Sequence, residues 1–211
     1  TIRSVLLQGY PNLEYIIIDG GSTDGSVDII RKYESWLSYW VNEADGGQTE
    51  AINKGLLQSS GSIIAYLNSD DVYQKDALRR VALAFNDAPE SDFVIGACNI
   101  VDETGEIGRI WLPGCIKPDR LIFNNYICQQ ATFFRRRVIA EIGYFDESLQ
   151  CIFDYEYWIR SVLEELSFVK IPLPPLADFR QQGMAKSWTK YGQFAEERFA
   201  MVSKHFPDKH E

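Results

Sequence analysis

The sequence predicts an α/β protein: a mostly parallel sheet with helices on both faces, followed by an antiparallel portion. Three observations carry this. Short apolar runs recur in the first half, Tyr15-Ile16-Ile17-Ile18 and Ile63-Ile64-Ala65-Tyr66-Leu67 being the clearest. The strand-like segments end in turns rich in Asp, Gly, Asn and Ser. After each turn, apolar residues change to helical spacing, which is the β-turn-α alternation of a parallel sheet.

Taken in order, Thr1 to Leu7 reads as mid-helix, with Ile2, Val5 and Leu6 on one face. It has neither an initiator Met nor a cap, so an N-terminal strand is expected to precede it. Residues 13–18 form the first strand, and Ser26 to Trp36 a helix with Val27, Ile30, Tyr33 and Leu37 at helical spacing. Tyr39-Trp40-Val41 is a short strand, Asp45-Gly46-Gly47-Gln48 a turn, and Thr49 to Ser59 a helix. The strand at 63–67 runs into Asn68-Ser69-Asp70-Asp71, and Lys75 to Asn86 is helical. Phe93–Gly96 and Gly108–Trp111, flanking Glu103-Thr104-Gly105-Glu106, are expected to pair as an antiparallel hairpin. Thr132-Phe133-Phe134 reads as a strand and Asp154 to Leu163 as a helix packed through Trp158, Ile159 and Val162. Pro172, Pro174 and Pro175 mark a loop. The tail from Trp188 to Phe206 is an amphipathic helix with Tyr191, Phe194, Phe199 and Phe206 among charges. The organisation expected is one domain over 1–187, with halves at about 1–90 and 91–187, and a helix in 188–211.

At 211 residues, 45% hydrophobic and 24% charged, the chain has the composition of a soluble globular domain. No run approaches the roughly 20 apolar residues that span a bilayer. A net charge of −9 argues against nucleic acid as a partner. An anionic ligand therefore needs a local device: a metal, a helix N-terminus or a few Lys and Arg. The four cysteines, Cys98, Cys115, Cys128 and Cys151, are far apart, which speaks against structural zinc and for a reduced, cytoplasmic setting.

Carboxylates stand at three strand-end turns: Asp19 and Asp24, Asp45, then Asp70 and Asp71. In an open α/β sheet that edge is where ligands sit. Asp also caps helices and starts turns, and Asp24 and Asp45 are open to that reading. Asp70 and Asp71 are adjacent like charges at the end of a buried strand, which favours a cation or sugar hydroxyls beside them. Oxygen-only ligation suits Mg²⁺ or Mn²⁺, which complete their shell with water and phosphates. A metal–diphosphate site is the favoured reading of the pair.

Four blocks, in order and at matching spacing, then carry a resemblance. Ser4–Asn12 with Ile17–Gly25, the block Asp45–Gly55, the run Leu67-Asn68-Ser69-Asp70-Asp71 and the block Phe153–Trp158 resemble the family 2 glycosyltransferases of GT-A fold, over roughly residues 1–190. The resemblance implies a Rossmann-like sheet with an antiparallel acceptor-side portion. It implies a nucleoside-diphosphate sugar, a UDP-sugar favoured, held by Asp19, Gly20, Ser22, Asp45, Gln48, Lys54, Asn68, Asp70 and Asp71. Asp19 would contact the base, Asp70 with Asp71 would hold Mn²⁺ or Mg²⁺, and Asp154 would be the general base of an inverting transfer. Gln130 and Trp158 fall on the acceptor side. Lys186 is a candidate cation for the phosphates.

The chain departs from the family pattern at several points. Asn68 stands in place of the first motif acid, leaving it a hydrogen bond to ribose or metal water. Gln182 stands where many relatives have His. The strand expected before Thr1 would complete the base pocket. The acceptor implied is a saccharide or a lipid-linked species in bacterial surface-polysaccharide synthesis, such as O-antigen or exopolysaccharide, at the inner face of the plasma membrane. A non-catalytic nucleotide-sugar-binding relative and a sugar-phosphate nucleotidyltransferase are the competing classes.

Three aromatic residues, Trp111, Tyr126 and Trp158, are open to sugar stacking or to core packing, and core packing is the more common fate of such spacings. Lys186 could equally be a solvated surface lysine, and Asp154 a helix-start residue favoured by the dipole. Arg135-Arg136-Arg137 is open to a peripheral lipid contact or to a helix start.

Overall fold

The structure, a computed structural model, describes residues 1–181 and 191–207. Its first half alternates α1 (Ile2–Leu6), β1 (Ile16–Asp19), α2 (Ser26–Lys32), β2 (Tyr39–Asn42), α3 (Gln48–Gln58), β3 (Ile63–Ile64), β4 (Val72–Tyr73) and α4 (Ala77–Asp87). There follow β5 (Phe93–Gly96), β6 (Cys98–Val101), β7 (Ile107–Trp111), α5 (Pro118–Leu121), β8 (Thr132–Arg135) and α6 (Arg137–Ile142). The chain goes on to α7 (Phe153–Leu163), β9 (Phe168–Ile171), β10 (Ala177–Arg180) and α8 (Tyr191–His205).

β1 and β2 form a parallel pair with Asp19 opposite Asn42. A second sheet has the order β3-β8-β5-β9 and a third β4-β10-β6-β7. Parallel pairings join β5 to β9 and β10 to β6, and antiparallel ones join β8 to β3 and β5, β10 to β4, and β6 to β7. The architecture is thus α/β with antiparallel strands woven in.

Helices cover both faces of the β5–β8 sheet, because successive strand residues point to opposite sides. Val94 and Phe133 pack against Val81 and Phe85 of α4. Their neighbours Phe93, Ile95 and Phe134 pack against Leu56 of α3, Val138 of α6 and Tyr157 and Trp158 of α7. Trp158 is fully buried, edge-on to Phe93 with centroids 5.8 Å apart. That corrects the acceptor-side expectation for it: its indole belongs to the core. Trp111 and Tyr126 likewise pack against core clusters.

The expected hairpin is also corrected. β7 pairs antiparallel with β6, Cys98 opposite Trp111, and not with Phe93–Gly96. The buried run 93–101 changes sheets at Ala97, whose N–H donates to Ile171 O (3.1 Å) while its C=O accepts from Leu176 N–H (2.8 Å). Gly96 makes room for this crossover, since a Cβ there would lie 2.3 Å from Leu176 Cδ1.

The Arg135–Arg137 cluster serves the fold. Arg135 donates to Ser91 O and Phe85 O, Arg136 to Gly61 O and Ser59 Oγ, and Arg137 pairs with Asp92 at 2.8 Å. This removes the basis for reading it as a free lipid-binding patch. α8 packs on its own chain through Phe194, Met201 and Phe206, while Phe199 is 69% exposed. The predicted start of that helix at Trp188, with Lys186 and Gln182, lies outside the described residues. No described helix is long and apolar enough to cross a membrane.

Candidate active site

A cleft of about 1300 Å³ opens at the strand ends. Asp19, Gly20, Ser22, Gln48, Asn68 and Asp70 all line it. The chain folds this way because β1 stops at Asp19, whose Oδ1 accepts from Ser22 N–H (2.8 Å), Gly21 N–H (3.2 Å) and the Asn42 amide of β2. Desolvation alone would raise the Asp19 pKa. The hydrogen bonds from Ser22, Asn42 and Gly21 outweigh it and hold the carboxylate below its usual range. Asp24 accepts from the Ser26 N–H and hydroxyl at the start of α2, the helix-start role the sequence allows.

Asp45 accepts from Gly47 N–H at 3.0 Å in the turn that opens α3. Its side chain lies against Gly20: a Cβ on Gly20 would fall 2.7 Å from Asp45 Oδ2. The first two acidic turns therefore meet, but Asp45 stands against Gly20 and is not among the residues lining the cleft, in place of the expected ligand contact. Lys54 is not there either. It is held by Glu43 (3.1 Å) and Glu50 (2.9 Å), and the hydrogen bonds it donates to Glu50 and then Glu43 raise its pKa. The structure thus engages Lys54 in ion pairs in place of the expected ligand contact.

The third turn is held by a chain of amides. Gln48 Nε2 donates to Asn68 Oδ1 (2.7 Å), and Asn68 Nδ2 to Asp71 Oδ2 (3.2 Å). Gln130 Nε2 reaches the same Asp71 oxygen at 2.9 Å, and Arg180 N–H donates to Asp71 Oδ1 at 3.0 Å. Asp71 is fully buried. Burial pushes its pKa up to about 6 against the pull of those N–H donors. This corrects two expectations. Asp71 faces inward with both oxygens engaged, so it orders the loop and is not placed to share a metal. Gln130 supports Asp71 and does not face an acceptor. Asp70 alone of the pair lines the cleft.

Asp154 sits in the first turn of α7, its Oδ1 accepting from Tyr155 N–H at 2.7 Å. Burial pushes its pKa up to about 6, the environment of a carboxylate able to take a proton near neutrality. Asp154 is not among the residues lining the cleft; its tie to it is electrostatic, since burial and then the Asp154 charge raise the pKa of Tyr66, which does line it. The Tyr66 hydroxyl is buried with no partner among the described residues.

Sequence reasoning passed over several supports. Arg180 donates from Nε to Asp70 O (3.3 Å) and from Nη1 to Glu103 O (2.7 Å), tying the acidic loop to the β6–β7 turn. Gln129 Nε2 donates to Tyr66 O at 2.6 Å. Asn53 exchanges hydrogen bonds with the Phe145 backbone, linking α3 to the segment before α7. One signal was visible: Gln129-Gln130 is an amide pair inside an apolar run, and buried amides must find partners.

Among the described residues, no three or more His, Cys, Asp or Glu are grouped to hold a metal ion. The donor chemistry fits a hard cation that takes one protein carboxylate, Asp70, with diphosphate and water completing its shell.

Comparison with known proteins adds four findings. Residues 1–143 match the model of Glycosyl transferase family 2. Over 163 residues the chain is 30% identical to a PGL/p-HBAD biosynthesis glycosyltransferase of Mycobacterium bovis, covering 75% of this chain and 62% of that protein. The structure superposes on S. aureus TarS 1–349 in complex with UDP-GlcNAc with a TM-score of 0.73 at 16% identity, covering 97% of this chain and 62% of that one. It also superposes on a mannosyltransferase of Pyrobaculum calidifontis in complex with GDP-Man and Mn²⁺ (TM-score 0.68, 17% identity, 98% and 59% covered). At these identities the two structures show the fold, GT-A, and nothing further.

Proposed function

The chain belongs to glycosyl transferase family 2, and on that premise we propose that it transfers a sugar from a nucleoside-diphosphate sugar, a UDP-sugar favoured, to a hydroxyl of a saccharide or lipid-linked acceptor. The observation that carries this is the convergence of Asp19, Gly20, Ser22, Gln48, Asn68 and Asp70 on one cleft, with the Asp154 charge felt by Tyr66, which lines it. Asp19, below its usual pKa, is an acceptor for base N–H groups. Asp154 takes the proton of the acceptor hydroxyl as its oxygen bonds to the anomeric carbon. The bond from that carbon to the diphosphate oxygen breaks on the opposite face, the nucleoside diphosphate leaves with the electron pair, and configuration inverts. Mn²⁺ or Mg²⁺, held by Asp70, would stabilise charge on the departing diphosphate.

A role in glycan assembly draws support from the mycobacterial relative, whose name places it in PGL/p-HBAD biosynthesis; the acceptor class, bacterial surface-polysaccharide assembly and a place at the inner membrane face are extensions of the same proposal. Titration calorimetry with UDP-, GDP- and dTDP-sugars, with and without Mn²⁺, followed by donor-hydrolysis and transfer assays, tests the proposal. Metal-dependent binding of one donor with turnover is the expected outcome. Binding without hydrolysis or transfer would make the chain a non-catalytic binding protein, and no binding at all would remove the nucleotide-sugar reading.

A further inference from the structure

α7 begins without a side-chain cap: its N-cap residue, Ile152, has none to offer. The N–H groups of the three residues leading into it find their partner on α8. Glu197 Oε1 accepts from Gln150 N–H (3.0 Å), and Oε2 accepts from Cys151 N–H (2.9 Å) and Ile152 N–H (3.3 Å). Gln193, one turn earlier on α8, steadies the carboxylate with a bond from Nε2 to Oε1 at 2.8 Å. Three successive backbone N–H groups around one anion form an anion-binding nest, here at the positive end of a helix. Asp154 follows two residues after Ile152.

The neighbouring residue makes the complementary contact. Arg198 donates to Phe123 O (2.8 Å) and Ile122 O (3.3 Å), just past the end of α5. Met201 and Phe206 seat α8 on Ile152, Tyr155 and Ile159. At its far end, His205 Nε2 lies 3.0 Å from Glu156 Oε1 in the first turn of α7. α8 thus grips the start of α7 at two points, on either side of Asp154 in sequence.

We propose that Glu197 is a positioning residue for Asp154: by holding the N–H groups of 150–152, α8 fixes the backbone from which the base projects into reach of the acceptor. The inference rests on Asp154 being the general base. It predicts a larger effect on turnover than on nucleotide binding, because among the described residues Glu197 itself touches none of the turns at Asp19, Asp45 or Asp70, and the segment it holds meets the Asp45 turn only through Gln150 beside Gly47 and the Thr49 bond to Leu149 O.

The test uses Glu197→Ala and Glu197→Gln in the full chain, read by hydrogen exchange of the 150–152 amides and by steady-state kinetics. In Glu197→Ala those amides lose protection and kcat falls 10–100-fold, the scale of a misplacement near 1 Å. Donor KM and UDP affinity stay within about two-fold. Glu197→Gln keeps an acceptor oxygen for the Cys151 and Ile152 N–H groups and recovers part of both protection and kcat. Unchanged protection would remove the clamp, and lost protection with unchanged kcat would remove its link to the base. A wild-type chain that turns over no nucleotide sugar would overturn the base assignment, and with it the catalytic half of the inference, whatever the exchange shows.

Discussion

Gln130 Nε2 donates to Asp71 Oδ2 at 2.9 Å between two buried side chains. Through this bond the turn before β8 reaches the acidic loop after β3, while β10 reaches the other Asp71 oxygen through Arg180 N–H. A buried carboxylate that loses an N–H partner keeps its desolvation cost without the compensation. Gln130→Ala is therefore expected to lower unfolding free energy by about 1–3 kcal/mol in urea titrations. Nucleotide-sugar affinity should fall with it, because Asp70 is the next residue. An unchanged midpoint would show that Asp71 does not depend on Gln130.

Asp154 gives two pH signatures. Its pKa, raised by burial to about 6, lies above the roughly 3.9 of an unfolded Asp. Between those values the folded chain holds a proton that the unfolded chain has lost. Stability therefore falls as pH rises from about 4 to about 6 and levels off above, by about 1–3 kcal/mol for this group. Asp154→Asn removes that share, so the variant should be more stable than wild type at pH 8. A residual slope should remain from Asp71, which burial also raises to about 6. In turnover the sign reverses: kcat rises through pH 6 as the base loses its proton. Asp154→Asn should cost about 10²–10⁴-fold in kcat with nucleotide-sugar binding intact. A variant that no longer binds donor would mark Asp154 as structural.

Much of this site was legible because its backbone is local. Asp19-Gly20-Gly21-Ser22 builds its own turn, and a strand ending in acids and glycines announces a ligand edge. The Asp70-Asp71 pair was legible as a pair but not as two residues with opposite fates. What turned Asp71 inward is Gln130 and Arg180, 59 and 109 positions away. Lys54 failed for a related reason: a cation in a motif block is captured by Glu50 one turn before it. The hairpin was misplaced because a run of nine buried residues does not reveal where it changes sheets. That needed the packing of Leu176 against Gly96. Trp158 lies on a helix buried nearly all round, where spacing cannot separate core from cleft.

Gly20 and Asp45 should behave as a coupled pair. A methyl group on Gly20 would fall 2.7 Å from Asp45 Oδ2 and 3.0 Å from its Cγ, pushing the carboxylate off the Gly47 N–H that it accepts from. Gly20→Ala is expected to weaken UDP affinity about ten-fold, or about 1.4 kcal/mol, by titration calorimetry. In an Asp45→Ala background the same change should cost less than about three-fold, since the clash is gone. Equal penalties in both backgrounds would mean that Gly20 is needed for something other than room beside Asp45.

Tyr66 combines a buried, partnerless hydroxyl with a ring seated edge-on against Phe145 at 5.4 Å and tilted against Phe153 at 6.4 Å. An unsatisfied buried hydroxyl costs about 1–3 kcal/mol, and Phe keeps the ring without that cost. Tyr66→Phe should therefore shift the urea midpoint upward by about 1 kcal/mol of stability at unchanged slope. The residue lines the cleft, and burial followed by the Asp154 charge raises its pKa; on the proposed mechanism its unused donor is a candidate partner for the acceptor hydroxyl. The same variant should then raise acceptor KM several-fold while donor affinity stays put. Greater stability with an unchanged acceptor KM would leave Tyr66 as a packing residue beside Asp154. Lower stability would mean that the hydroxyl is bonded in the folded protein after all, and the acceptor role would fall with it.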